Sequence, residues 1–333
     1  MPVPAPKPGE VLIKVGASAV NNTDINTRTG WYSKSVRGGT AAGASQGYRS
    51  SATDIDGSWS GTPLSFPRIQ GADCCGQIVA VGADGDAARI GERVMVRSMQ
   101  SGSAAGEDLA LVTFGSEYDG GFAEYAVAPS HHTIKITSSL SDVELASFPC
   151  AFSTAEGMIQ RAGLMAESVL VTGASGGVGS AAIQLAKRRG AHVTAVTTAA
   201  KAADLKALGA DDTFDRDADL PGHAFGVVLD LVGGPRWDSL IASLRNGGRY
   251  VTSGAIAGPI VELDLRTLYL RDLSLLGSTH QPDHVFTDLI RYIEAGEIRP
   301  VMAATYPLRK LPEAQTAFLG KSHIGKIGIT VAG

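Results

Sequence analysis

The stretch VLVTGASGGVGSAAIQLAKRRG, residues 169–190, constrains the fold more than any other part of the chain. An apolar strand runs directly into Gly173, Gly176, Gly177 and Gly179, and a helix-forming run follows at once. Glycines let such a turn close tightly and let backbone N–H groups approach a pyrophosphate with no Cβ in the way. The helix amino terminus then adds donors and a favourable dipole. The spacing departs from G-x-G-x-x-G, because Ala174 stands at the first glycine position. A purely structural turn would also use glycines. The second strand arriving on schedule, HVTAVTT at 192–198, favours a dinucleotide held by Gly173, Ser175, Gly176, Gly177, Val178 and Gly179.

The end of that second strand bears on which dinucleotide. An NAD site places Asp or Glu about 20 residues past the glycines, to accept from the ribose 2′-OH. Here the place holds Thr197, Thr198 and Lys201, and no carboxylate comes before Asp204. Two hydroxyls and a lysine suit a 2′-phosphate, so NADP (NADPH) is the expected cofactor. Lys201 read alone is a solvated lysine at a helix start. Arg216, after the strand DTFD, is a further candidate for the adenosine phosphate.

Strand and helix keep alternating around the turn: KAADLKALG (201–209) as helix, GVVLDLV (226–232) as strand, WDSLIASLRNGG (237–248) as helix, RYVTSG (249–254) as strand. That alternation predicts an α/β, doubly wound parallel sheet with helices on both faces. Before residue 129 the texture differs, with short strands between Gly and Pro turns that suit a β-rich, barrel-like domain. Residues 33–65 are dense in Gly and Ser and read as a lid or a disordered insertion, with Trp31, Tyr32, Tyr48 and Trp59 as aromatic groups that would cover an apolar acceptor. Residues 141–163 read as one helix with a capping box from Ser141 to Glu144. The expected domains are 1–128, 129–280 and a return at 281–333.

Composition narrows the functions. Hydrophobic residues are 44%, charged residues 19% and the net charge −4, with no basic run suited to nucleic acid and no apolar run long enough for a membrane span. Three cysteines, Cys74, Cys75 and Cys150, argue against a disulfide framework and for a reducing, cytoplasmic compartment. None of the seven histidines lies near Cys74 or Cys75, so both cysteines read as core.

Taken together, AVNNTDINTRTG (19–30), FPRIQGADCCGQIVAVG (66–82), GGFAEYAVAP (120–129), PCAFSTA (149–155), the glycine turn and GKIGITV (325–331) resemble the medium-chain dehydrogenase/reductase superfamily over nearly the whole chain, most of all its zinc-independent quinone oxidoreductase branch. The resemblance implies a GroES-like catalytic domain and a Rossmann domain, with the active site between them. Relatives carry an opening β-hairpin before the segment at which this chain starts, so the first sheet is expected to be incomplete. In the zinc-dependent members, ligands stand at the positions of Asn21, Ala72 and Cys150. Two of the three have been replaced here, so no zinc is expected.

By the same resemblance, Asn21 and Thr23 stand at the metal-ligand and proton-relay positions and are the expected catalytic residues. Asn21 read alone braces its loop. Thr154 resembles the threonine at the nicotinamide end. Val232, Ser253 and Gly254 lie at carboxyl ends of strands, where cofactor contacts gather. The expected activity is NADPH-dependent hydride transfer to a quinone or an activated enone as small-molecule acceptor. A non-catalytic NADPH-binding protein and a zinc-type alcohol dehydrogenase are the alternatives. A homodimer joined through 258–278, read as strand, helix and strand, completes the expectations.

Overall fold

The computed structural model describes residues 2–41, 64–101 and 111–331. In chain order come β1 (Glu10–Ala19), α1 (Asn22–Arg28), β2 (Cys75–Val81), β3 (Arg93–Val96), β4 (Met99–Ser101), β5 (Leu111–Thr113), β6 (Tyr125–Pro129), β7 (Thr133–Lys135), α2 (Asp142–Leu145) and α3 (Pro149–Ala162). Then follow β8 (Ser168–Val171), α4 (Gly177–Arg188), β9 (His192–Thr197), α5 (Ala199–Leu208), β10 (Asp212–Asp215), β11 (Phe225–Asp230), α6 (Trp237–Ser243), β12 (Leu244–Thr252), α7 (Leu265–Leu270) and β13 (Ser274–Gly277). The tail carries α8 (Asp283–Glu294), β14 (Met302–Pro307), α9 (Leu311–Leu319) and β15 (Lys326–Thr330). The described residues fall into two units. One lies within Met1–Val36, Ala44–Ser153 and His280–Gly333, the other within Arg37–Gly43 and Thr154–Thr279.

The first unit is built on a seven-stranded sheet in the order β14-β15-β1-β2-β3-β7, with β6 also on β1. β1 runs antiparallel to β15, β2 and β6. Val11, Ile13 and Val15 alternate along β1 into a core shared with Cys74, Ile78, Val94, Val96 and Phe114. Cys75 is buried as well, its thiol donating to Asp142 at 3.7 Å, so the adjacent cysteines do meet different surroundings. In α8, Val285, Phe286, Leu289, Ile290 and Ile293 form the buried stripe of an amphipathic helix. The buried Arg97 bonds Gln281 O and Asp283, tying the start of that returning segment to the unit.

The second unit holds a six-stranded, wholly parallel sheet in the order β10-β9-β8-β11-β12-β13. This is the doubly wound order, reversing between β8 and β11. Every residue of β11 is buried, as a central parallel strand requires. The expected fold class is present.

Four expectations need correction. The boundary expected at 128/129 lies at Ser153/Thr154, because β7 pairs with β3 and α2 packs on β1, which keeps 129–153 in the first unit. The helix expected over 141–163 is two helices; its capping box forms, but Pro149 opens a second start. Residues 244–248 are strand rather than helix, since β12 pairs with β11 from Leu244 onward. No strand forms at 259–264, while α7 and β13 follow as read. The proposed lid lies, for 42–63 with Tyr48 and Trp59, outside the described residues. Just before it, the Thr40 amide donates to Ile256 O at 3.0 Å. No helix among the described residues is long and apolar enough to cross a membrane.

Candidate functional site

In the second unit the glycine turn leaves β8 through Gly173, whose φ of +58° lies in the left-handed region. A Cβ on Gly179 would stand 2.3 Å from Gly173 O and 2.6 Å from Ala174 Cα. Only glycine lets α4 start this close to the turn. Gly176 caps α4, Gly177 and Val178 open it, and its first turn carries no acid. The amide donors and dipole of that terminus therefore favour an anion.

Beside this turn, Lys201 Nζ lies 3.5 Å from Ser175 Oγ. Partial burial first, and the like charge of Arg216 second, hold the Lys201 pKa below its ordinary value. Two mutually repelling cations near a helix amino terminus form a setting that a phosphate relieves. Thr198 is the half-buried cap of α5 and makes no side-chain cap bond. Thr197 departs from expectation: its hydroxyl is buried, with no protein partner among the described residues, and is not presented at the surface. Asp215, in register with Thr197, turns its carboxylate toward the Asp217 amide at 3.3 Å.

The ends of β11 and β12 are held by Asp230, which sequence reasoning did not single out. Its buried carboxylate accepts from the Val232 amide at 2.9 Å, the Gly233 amide at 3.0 Å and the hydroxyls of Thr172 and Tyr250. Val232 is thereby fixed at the carboxyl edge of the sheet. Ser253 Oγ donates to Ser278 O at 2.7 Å, so that hydroxyl serves the sheet. A Cβ on Gly254 would approach Leu231 O to 3.1 Å. Thr154, on α3, is half-buried.

Asn21 and Thr23 lie in the first unit, at the start of α1. The Asn21 amide uses its full bonding capacity. Its Nδ2 donates to Ala19 O at 3.2 Å and Asp73 Oδ2 at 2.7 Å. Its Oδ1 accepts from Lys326 Nζ at 2.5 Å, and the side chain also accepts the Asp24 amide in a capping box. Asn21 is a brace in this arrangement, because meeting a substrate would break one of these bonds. Thr23 is buried and its side chain is hydrogen-bonded to the Tyr32 hydroxyl, which also meets Asn26. Burial pushes the Tyr32 and Cys150 pKa values up.

Asp73 is the hub. Its Oδ1 accepts the Cys150 amide at 2.7 Å, and its Oδ2 accepts from Lys326 Nζ at 2.8 Å besides Asn21. Asp24 accepts the Asn21 amide at 2.7 Å and the Ala72 amide at 3.0 Å. Burial chiefly, and the Asp73 charge besides, raise its pKa to about 7 against the opposing pull of those amides and Lys326. Lys321 donates to Asn22 Oδ1 at 2.9 Å, and burial lowers its pKa to about 8. Asp73 and Lys326 escaped the sequence reading. The available signal was a lysine opening the apolar strand KIGIT.

A zinc ion does not fit these residues. Ala72 offers a methyl group, the Asn21 amide is saturated, and an ammonium already sits on Asn21 and Asp73. Among the described residues no group of three or more His, Cys, Asp or Glu is placed to hold a metal.

Residues 7–138 match the alcohol dehydrogenase GroES-like domain family, and residues 177–295 match the zinc-binding dehydrogenase family. Acryloyl-coenzyme A reductase of Sulfurisphaera tokodaii is 30% identical over 98% of this chain and 94% of its own. The chain belongs to the medium-chain dehydrogenase/reductase superfamily. Human quinone oxidoreductase, also similar, is 28% identical over 98% of this chain and 90% of its own. A solved structure from Sinorhizobium meliloti 1021 is 43% identical, with a TM-score of 0.87 over 99% of this chain and 91% of that one. As a medium-chain dehydrogenase/reductase the protein is an oxidoreductase served by a nicotinamide cofactor, and the glycine turn with Ser175 and Lys201 fits one.

Proposed function

We propose that this chain transfers hydride from NADPH, without zinc, to a quinone or to a carbon–carbon double bond conjugated with a carbonyl. The observation that carries this reading is the Lys326 ammonium seated on Asn21 and Asp73, which fills with a fixed cation the place where a Lewis acid would need open donors. Such acceptors need only modest polarisation, unlike a plain ketone. The Thr23 and Tyr32 hydroxyls, with one hydrogen used between them, supply a single donor for the acceptor's carbonyl oxygen. NADPH, when bound, supplies the hydride. The glycine turn and the amino terminus of α4 hold its pyrophosphate. Ser175, Lys201 and Arg216 take the 2′-phosphate, and Val232, fixed by Asp230, lines the carboxyl edge of the sheet. The names of the acryloyl-coenzyme A reductase and quinone oxidoreductase relatives agree with both acceptor classes.

Stopped-flow oxidation of NADPH against quinones, enones and enoyl thioesters, with and without chelator, tests the reading. Turnover unaffected by chelator supports it. Turnover lost with the metal returns the chain to the zinc type, and tight NADPH binding without turnover makes it a binding protein.

Two copies pairing through β13 complete the proposal. β13 ends the parallel sheet, and Leu265, Tyr269 and Leu270 beside it are 64%, 62% and 69% exposed. Light scattering that returns the mass of one chain at micromolar concentration would exclude the dimer.

A further inference from the structure

The ammonium of Lys326 is 4% exposed and its partner Asp73 is fully buried. β15 is otherwise apolar in this stretch, with Ile327 and Ile329 in the core. Nothing about packing there asks for a charge, since buried ion pairs are often replaceable by apolar side chains of similar volume. Direction is what this cation adds. Its three N–H donors go to Val20 O at 3.2 Å, Asn21 Oδ1 at 2.5 Å and Asp73 Oδ2 at 2.8 Å. Asp73 passes the constraint to Asn21 Nδ2 and to the Cys150 amide at the start of α3. The end of β1, the first turn of α1, the 71–73 segment and α3 are thus aligned on one charged pair.

We propose that Lys326 is a positioning residue for hydride transfer. As a resident cation it sets the first turn of α1, and with it Thr23 and the Tyr32 hydroxyl, in the orientation that meets the acceptor. The inference rests on the reading of Thr23 as a group that meets the acceptor. Lys326 itself touches no substrate, since all three of its donors are engaged.

The test uses the full chain carrying Lys326→Met together with Asp73→Asn, which removes both charges at once. Lys326→Met alone leaves a buried carboxylate without its cation and is expected to melt far below the parent. The double variant should recover most of the melting temperature and bind NADPH within about twofold of the parent, the cofactor residues being in the other unit. Its kcat should nevertheless fall at least about tenfold, with the NADPH KM little changed. Amide exchange at 21–25 should quicken while that at 168–188 stays the same. A double variant with parental kcat, or with undiminished protection at 21–25, overturns the proposal. If the parent reduces no acceptor, the functional reading fails instead, and exchange at 21–25 still decides whether Lys326 sets that turn.

Discussion

Lys326 and Lys201 carry the same ammonium into opposite settings. Lys326 is buried on the Asp73 carboxylate, with each donor answered from within the first unit. Lys201 is half-buried near the Ser175 hydroxyl, and the charge most felt there is another positive one, Arg216. A buried cation must be matched at once, because the desolvation penalty is large. A partly solvated cation beside a like charge stays tolerable and keeps its attraction for an anion. The first lysine organises the chain; the second is the one we propose meets the cofactor's 2′-phosphate.

Asp73→Ala puts the sharpest strain on that contrast. It strands the Lys326 ammonium and leaves the Asn21 and Cys150 donors unanswered, and it should cost about 3–5 kcal/mol in a urea unfolding series. A loss under about 1 kcal/mol would mean the pair is dispensable, and the contrast would collapse.

Asp24 sharpens the same region by pH. Its folded pKa, about 7, lies above the ordinary 3.8. Its contribution to stability is therefore complete below pH 3.8 and is lost as pH rises toward 7, by roughly 1.4 kcal/mol per unit. Unfolding free energies of the parent minus those of Asp24→Asn should fall across that window and level off above it. A flat difference would show that Asp24 titrates normally.

In the second unit the effects should appear in binding. Gly179→Ala, forcing a methyl group onto the Gly173 carbonyl, should weaken NADPH by roughly 100-fold, about 2.7 kcal/mol, in a fluorescence titration. Lys201→Ala is expected to weaken NADPH about tenfold, near 1.4 kcal/mol, and to leave NADH unchanged. Equal losses for both cofactors would remove Lys201 from the 2′-phosphate and end its role in the comparison.

The second unit was legible because its signals are local. Gly173 through Gly179 sit in one turn, and the strands around them alternate with helices at regular spacing. Its misreadings came where tertiary pairing overrode local pattern, as at Leu244, where an apparent helix end is the start of β12. The first unit hid its hub because Asp73 and Lys326 are 253 positions apart. No periodicity connects two residues so distant. Asn21 was noticed, but its saturated amide follows from partners that only the fold assembles. Thr197 was misplaced because a hydroxyl at a strand end reads the same whether it faces inward or outward.

The pairing of β1 with β15, Ala17 opposite Thr330, has a consequence for how the protein is made. A growing chain leaves the ribosome from its amino end, and domains generally fold as units once their parts have emerged. Nearly all of the second unit lies in 154–279, so the half that carries the glycine turn can close while translation is still under way. The first unit begins earlier but finishes later, since its central strand waits for a neighbour made only after the whole of the second unit. Lys326 travels with that neighbour. Until it arrives, Asp73 lacks the Lys326 ammonium, and a nascent chain stalled before β15 would present its glycine turn before the site we propose for hydride transfer is assembled.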